Sequence, residues 1–300
     1  MNMILRLIAL VLALAAGAPL RAGSGPSVPI TILRLPDGTR FGLIGPRPSR
    51  PAPTVFLLAH GLETMADEPH YTDAGRLLTP HGFLGVVLDP PAHGKDVRPG
   101  ETGALDGGLK GWRQRLDNGE DFVAPFVAHC RGVLDYLVRE KLADPDRVGA
   151  IGISRGGFLA IHLAAAEPRI RCVVGLSPVV DVMVLREFNG TPRTDLAAQL
   201  SLAAAIPRLV GRPLWISISN NDERVGADRV IAFSRALVAA SIGGRAGNPI
   251  VPVELVVGPA VSAGGSGHYS VQEADALAAN WILRQFGMPE TAPLGDAPHR

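Results

Sequence analysis

The chain has 300 residues, 47% hydrophobic and 19% charged, a composition that can bury a large core and excludes an intrinsically disordered chain. Its formal net charge of +1, with the basic residues scattered singly, makes no strong field and excludes nucleic acid or an anionic membrane surface as a main partner. A neutral or small substrate suits that balance, while length alone leaves one or two domains open.

Arg6 is followed by an apolar run from Leu7 to Ala16, small residues and Pro19. About ten apolar residues fall short of the ~20 that a membrane-spanning helix needs, so residues 1–22 are expected to be a secretory signal peptide without stable membrane insertion. That reading sends the mature protein to the periplasm or outside the cell. Ala13–Ala15 and Ala16–Ala18 both have the small-x-small form of a cleavage site, and a cut near Ala22 is the third choice. Removal through Ala22 takes away Arg6 and Arg21 and leaves a net charge of −1.

Behind the leader, Val28–Leu35 and Arg40–Ile44 are short apolar runs separated by Pro36, Asp37 and Gly38, a hairpin signal. A linker rich in Pro and Arg covers Pro46–Pro53. Thr54–Ala59 and Phe83–Leu88 are continuous apolar runs, the pattern of strands buried on both faces of a parallel sheet, and Tyr71–Leu78 predicts the crossover helix between them. Pro90–Asn118 mixes glycine and charge without a sustained period and is expected to be a long loop. From Phe122 onward, Phe126, Cys130, Leu134 and Leu137 recur at four and three, one face of a helix, with Pro125 tolerated in its first turn.

The alternation then repeats: strand Val148–Ile153, helix from Gly156, strand Cys172–Leu176, a helical segment through Ala205, strand Leu214–Ser219. A helix from Ala227, a strand Val251–Val257 and a last helix Val271–Phe286 complete it. This order predicts one α/β domain over residues 28–286, a mostly parallel central sheet with helices on both faces, and a flexible tail over 287–300. Cys130 and Cys172 fall in apolar periodic segments and are expected to be buried thiols, with a disulfide left open; their spacing is not that of a zinc site.

Ligands on such sheets bind beyond the carboxyl ends of the strands, where the chemistry-bearing residues gather. Gly152-Ile153-Ser154-Arg155-Gly156 matches G-x-S-x-G between a strand and a helix, the context in which that motif presents a serine on a tight turn. Gly152 and Gly156 let the two backbones pass. A serine hydroxyl is a weak nucleophile and needs a base, itself oriented by an acid. His268, in a small glycine-containing loop after the last strand, is the candidate base. Asp222, in the turn after Leu214–Ser219, is the candidate acid, ahead of Asp181, Glu223 and Asp228. The backbone N–H groups of Arg155 and Leu62 are the expected oxyanion-hole donors, and His60 is expected to be structural.

His60-Gly61, Asp89-Pro90-Pro91-Ala92-His93-Gly94, the Gly152–Gly157 elbow, Asp222-Glu223-Arg224-Val225 and Gly267-His268 occur in that order. With them the chain resembles the α/β-hydrolase superfamily over residues 50–286, nearest the dienelactone hydrolase and prolyl-oligopeptidase-like serine esterase branch. The resemblance implies hydrolysis through an acyl-enzyme, with no metal and no organic cofactor. Serine stands where true dienelactone hydrolases carry cysteine, and a single hairpin stands where prolyl oligopeptidases carry a propeller.

Trp112 and Tyr269 are candidate substrate-binding residues, with Tyr71 as a further accessible aromatic. Arg113 and Arg115 either line the pocket or pair with Asp117, Glu120 and Asp121 at the surface. Trp215 and Tyr136 are expected in core-facing elements and Trp281 within the last helix. The expected substrate is a small-molecule ester, cleaved on a Ser-His-Asp triad, with short acyl chains preferred because little chain lies between Leu176 and Leu214. Two alternatives remain: a small serine peptidase or amidase on the same residues, and a non-catalytic binding protein that kept the fold. The oligomeric state is left open.

Overall fold

The computed structural model describes residues 29–101, 108–243, 252–260, 267–269, 271 and 273–290. The proposed leader and the tail beyond residue 290 lie outside the described residues. Among the described residues eight strands form one sheet: β1 (Ile30–Arg34), β2 (Arg40–Ile44), β3 (Ala52–Leu58), β4 (Leu84–Leu88), β5 (Ala143–Ile153), β6 (Ile170–Leu176), β7 (Leu214–Ser219) and β8 (Val253–Gly258). Their order is β1-β2-β4-β3-β5-β6-β7-β8. The hairpin β1–β2 is antiparallel and joins β4 antiparallel, and every pairing from β4 to β8 is parallel.

The described α-helices are α1 (Leu62–Asp67), α2 (Asp73–Leu78), α3 (Leu109–Asp117), α4 (Val123–Arg139), α5 (Arg155–Ala166), α6 (Thr194–Leu200), α7 (Leu202–Leu209), α8 (Ala227–Gly243) and α9 (Ala274–Gln285). They cover the sheet on two sides because the apolar strands are apolar on both faces. Phe56 and Leu58 of β3, Val86 of β4 and Ile216 of β7 enter one core layer with α3, α4, α5, α7 and α8. Val55 and Leu57 of β3, Val87 of β4 and Trp215 of β7 enter the other with α1, α2 and α9. The period of two sends alternate side chains to opposite layers, which is why these segments carry no polar/apolar alternation. No helix among the described residues is long and apolar enough to cross a membrane.

The structure departs from the sequence expectation in three places. Strand β5 begins at Ala143, not Val148, and pairs Ala52 with Ala143 across an irregularity beside Pro53, which has no N–H to give. The expected single helical segment before Ala205 is two helices meeting at Ser201, whose extended backbone breaks the run. The expected loop 90–118 contains α3, where Leu109, Trp112 and Leu116 are buried at i, i+3 and i+7. Two glycines and five charged or amide side chains from 108 to 117 hide that short stripe.

Cys130 and Cys172 are unbonded and fully buried, in separate core layers. Burial pushes both thiols well above the ordinary range. Neither is therefore expected to react with a thiol reagent in native protein, and both should react after denaturation. Fast modification of either one before unfolding is the opposite result.

Candidate active site

Ser154 stands between the end of β5 and the start of α5 with φ 56° and ψ −115°, a strained conformation for a residue with a side chain. Its amide donates to Leu176 O at 2.8 Å and its carbonyl accepts from Val179 at 3.0 Å, which ties the turn to β6. The elbow works only with glycine at its two shoulders. A Cβ on Gly156 would lie 1.7 Å from the Leu58 carbonyl oxygen, and one on Gly152 would lie 2.1 Å from that of Gly156. The sequence thus folds here into a turn that lifts one hydroxyl above the sheet edge.

His268 and Asp222 arrive from the other flank, after β8 and β7. Asp222 is buried, and its Oδ1 accepts the backbone N–H groups of Arg224 (3.0 Å) and Val225 (3.1 Å). Those two bonds fix the carboxylate plane and leave Oδ2 facing His268 Nδ1 at 2.9 Å. A carboxylate only accepts, so Nδ1 carries the proton, and the lone pair of Nε2 faces Ser154 Oγ at 3.0 Å. The three residues selected from the sequence therefore meet in a nucleophile–base–acid chain. The rivals stand elsewhere: Asp181 caps the 3-10 turn Val182–Val184 by accepting from Met183 N at 2.9 Å, and Glu223 and Asp228 face solvent.

Arg155 is the first residue of α5, so its amide precedes the helix's own ladder of hydrogen bonds, as an oxyanion donor requires. Leu62 is different. Its amide donates to Asp89 Oδ1 at 2.8 Å, and Asp89 Oδ2 also receives Arg40 at 3.2 Å. The expected second oxyanion donor is thus held by a carboxylate after β4, and burial outweighs these partners in raising the Asp89 pKa. The Asp89-Pro90 step was visible in the sequence, but not that its side chain folds back onto the Leu62 amide.

Trp112 requires a correction as well. It is completely buried, stacked on Phe122 with ring centroids 4.8 Å apart, and its indole N–H donates to Pro91 O at 2.6 Å. It is a core residue of α3 and not an accessible platform. Arg113 pairs with Asp117 at 2.6 Å, as the surface reading expects, whereas Arg115 is buried and held by Asp96 and Glu101 at 2.7 Å each. Glu120 pairs with Arg98.

Tyr269 directly follows His268 at φ 52° and is partly buried. Its hydroxyl donates to Asp275 Oδ2 at 2.7 Å and its amide to Ser177 Oγ at 3.2 Å, so this tyrosine fastens the base's turn to α9 and β6. Burial, aided by the charge of Asp73, pushes Asp275 up to about 6 against the hydrogen bond from Tyr269.

Sequence reading passed over the group around Arg155. His93 is buried beside His60 and Trp112, and its Nε2 lies 2.9 Å from Arg155 Nη1. Burial first, and the Arg155 charge second, hold the His60 ring down at about 4, so it is neutral at neutral pH.

A family model described as alpha/beta hydrolase fold matches residues 54–211. The chain is 25% identical over 215 residues to acylamino-acid-releasing enzyme 2 of Oryza sativa subsp. japonica, a match covering 62% of this chain and 25% of that protein. It is 30% identical over 139 residues to the putative hydrolase YtaP of Bacillus subtilis (strain 168), covering 44% of this chain and 46% of the relative. The matches thus span less than half the length of both relatives. Among solved structures, TT1662 from Thermus thermophilus superposes with a TM-score of 0.61 at 17% identity, over 87% of this chain and 99% of that one.

Proposed function

Because this chain belongs to the alpha/beta hydrolase fold family, in which residues 54–211 place it, we propose that it is a serine hydrolase cleaving small carboxylic esters through an acyl-enzyme. The observation that carries this reading is the Ser154–His268–Asp222 chain, with contacts of 3.0 and 2.9 Å and one consistent tautomer. In that mechanism His268 Nε2 takes the Ser154 proton as Oγ attacks the ester carbonyl, and the imidazolium formed is held by Asp222. The Arg155 amide stabilises the oxyanion. His268 then returns the proton to the departing alcohol, and a water activated by the same ring releases the acid.

Short acyl chains follow from two features. Only the short helices α6 and α7 and two 3-10 turns fill the segment between β6 and β7, and the burial of Trp112 removes the largest candidate for an apolar platform. A long apolar groove would add about 0.8 kcal/mol per buried CH₂ and make rates climb with chain length. The expected result is faster turnover of acetates than of long-chain esters or peptide anilides, measured on one panel. The name of the rice relative favours a second reading, an acylamino-acid or small-peptide hydrolase. Anilides cleaved faster than acetates would establish it.

We place the protein on the serine-esterase side of its branch and, on the apolar run Leu7–Ala16, in the periplasm or outside the cell. Amino-terminal sequencing of exported protein is expected to begin roughly 18 to 24 residues in, as a leader of this form predicts. Exported protein that retains Met1 would overturn the leader.

A further inference from the structure

On the premise of the ester-hydrolase reading, we propose that Glu187 is a positioning residue: through its ion pair with Arg224 it fixes the turn that carries Asp222, and with it the rate at which Ser154 is activated.

Arg224 is joined to the acid and to Glu187 at once. Its backbone N–H donates to Asp222 Oδ1 at 3.0 Å, beside that of Val225 at 3.1 Å. Its Nη2 donates to Glu187 Oε1 at 2.8 Å and to Oε2 at 2.9 Å. The backbone of the turn closes on its own neighbourhood: the Asp222 amide donates to Ser219 O at 3.1 Å, and the Ala227 amide to Asp222 O at 3.0 Å. Such bonds set the shape of a turn. The pair with Glu187 ties it to a separate segment, the chain between β6 and β7.

That segment is a firm anchor. Glu187 lies in the 3-10 turn Arg186–Phe188, whose Phe188 is fully buried. Arg113 Nη1, on α3, donates to the carbonyls of Glu187 at 3.3 Å and Asn189 at 2.7 Å, and Asp117 Oδ1 accepts from Thr191 Oγ1 at 2.6 Å. The side chain of Glu187 is only 7% exposed, so this is not a pair that solvent screens away, and removal of one partner strands a half-buried charge. Against burial, its own backbone N–H and Arg224 hold the Glu187 carboxyl below the ordinary range, so it is ionised at neutral pH.

The charges nearby make the tie matter. The Arg155 guanidinium feels both partners, repelled by Arg224 and attracted by Glu187. Loss of the Glu187 charge would leave two cations without their shared anion, and Arg224, which carries the acid on its backbone, is driven away from the nucleophile. A displaced turn cannot leave the base where it is. A Cβ on Gly267 would lie 2.7 Å from Asn221 O, so the loop of His268 packs backbone to backbone against the acid's turn, and Asp222 Oδ2 faces His268 Nδ1 at 2.9 Å. Misplacement of a reacting group by about 1 Å can cost about 100-fold in rate.

The test measures kcat and KM on an acetate ester for wild-type protein and for Glu187→Gln and Arg224→Gln, alone, together and combined with Asp222→Asn. Each single change is expected to lower kcat by about 10-fold at unchanged KM, part of what a hydrogen bond between charged groups is worth. The two together should lose no more than one of them, because both break the same tie. Arg224→Lys, which keeps a cation for Glu187, should retain most of kcat. Combined with Asp222→Asn, neither change should cost anything further, since the group they position is already gone, whereas a residue that only supports the fold would cost the same factor there.

Arg224→Gln breaks the pair from its more exposed end, with the Arg224 side chain 24% exposed, and decides the matter even where Glu187→Gln does not fold. Wild-type turnover in the single variants, a rise in KM at constant kcat, or an undiminished cost in the Asp222→Asn background would overturn this proposal and leave the esterase standing. Failure of wild-type protein on every ester would instead remove the esterase reading itself.

Discussion

Ser154→Ala is expected to abolish labelling by a fluorophosphonate and to lower kcat toward acetate esters by about 10⁶-fold, leaving only the residual acceleration from binding and the Arg155 amide. The size of the loss follows from the arrangement of the three groups. His268 Nε2 accepts from the Ser154 hydroxyl across 3.0 Å, and without that oxygen no covalent intermediate forms. The fold should survive, since the turn is held by the Ser154 backbone through Leu176 and Val179 and by the glycines on either side. Mass spectrometry of the labelled peptide and a thermal melt decide both points, and ester turnover at the wild-type rate in the alanine variant would refute the mechanism.

Asp222→Asn is expected to lower kcat by about 10⁴-fold with the fold intact, while Asp181→Asn changes activity little. The reason lies in how Asp222 is held. Its Oδ1 accepts two backbone N–H groups, a place that an asparagine amide oxygen can fill. The amide NH₂ then has to face His268 Nδ1, where the carboxylate Oδ2 had been. A donor facing Nδ1 forces the proton onto Nε2, and the ring can no longer accept from Ser154. Asp181 has a different task, capping a 3-10 turn through the Met183 amide. Crippling by Asp181→Asn, with Asp222→Asn active, would move the acid to the preceding strand.

The sheet and the three reactive residues were legible because both rest on local rules. A strand buried on both faces is apolar at every position, as Val86 to Leu88 and Leu214 to Ile218 are, apart from Ser217, and a nucleophile on a tight turn needs small neighbours at fixed offsets. What escaped depends on contacts between segments far apart in sequence. Nothing local shows that the Asp89 side chain, 27 residues downstream, takes the Leu62 amide. Nor does anything local show that Trp112 is drawn under α3 by a carbonyl 21 residues upstream. In the second case a weak signal existed, since Leu109, Trp112 and Leu116 have helical spacing, but glycine and charge dominated the window. The pairing of Arg155 with His93 spans 62 residues and leaves no trace in any short pattern.

The position of β8 at the rim of the sheet has a consequence for how activity is lost on heating. Among the described residues this strand pairs with β7 alone, and most of its side chains are only half covered, whereas β5 is flanked by β3 and β6 and is buried through its carboxyl half. Opening of a rim strand costs less free energy than opening of the centre. It would carry away the turn bearing His268 while the Ser154 elbow stayed in place. Gentle warming is therefore expected to silence the molecule reversibly, well below the temperature at which the core melts, and cooling should restore it without renewed folding of the nucleophile.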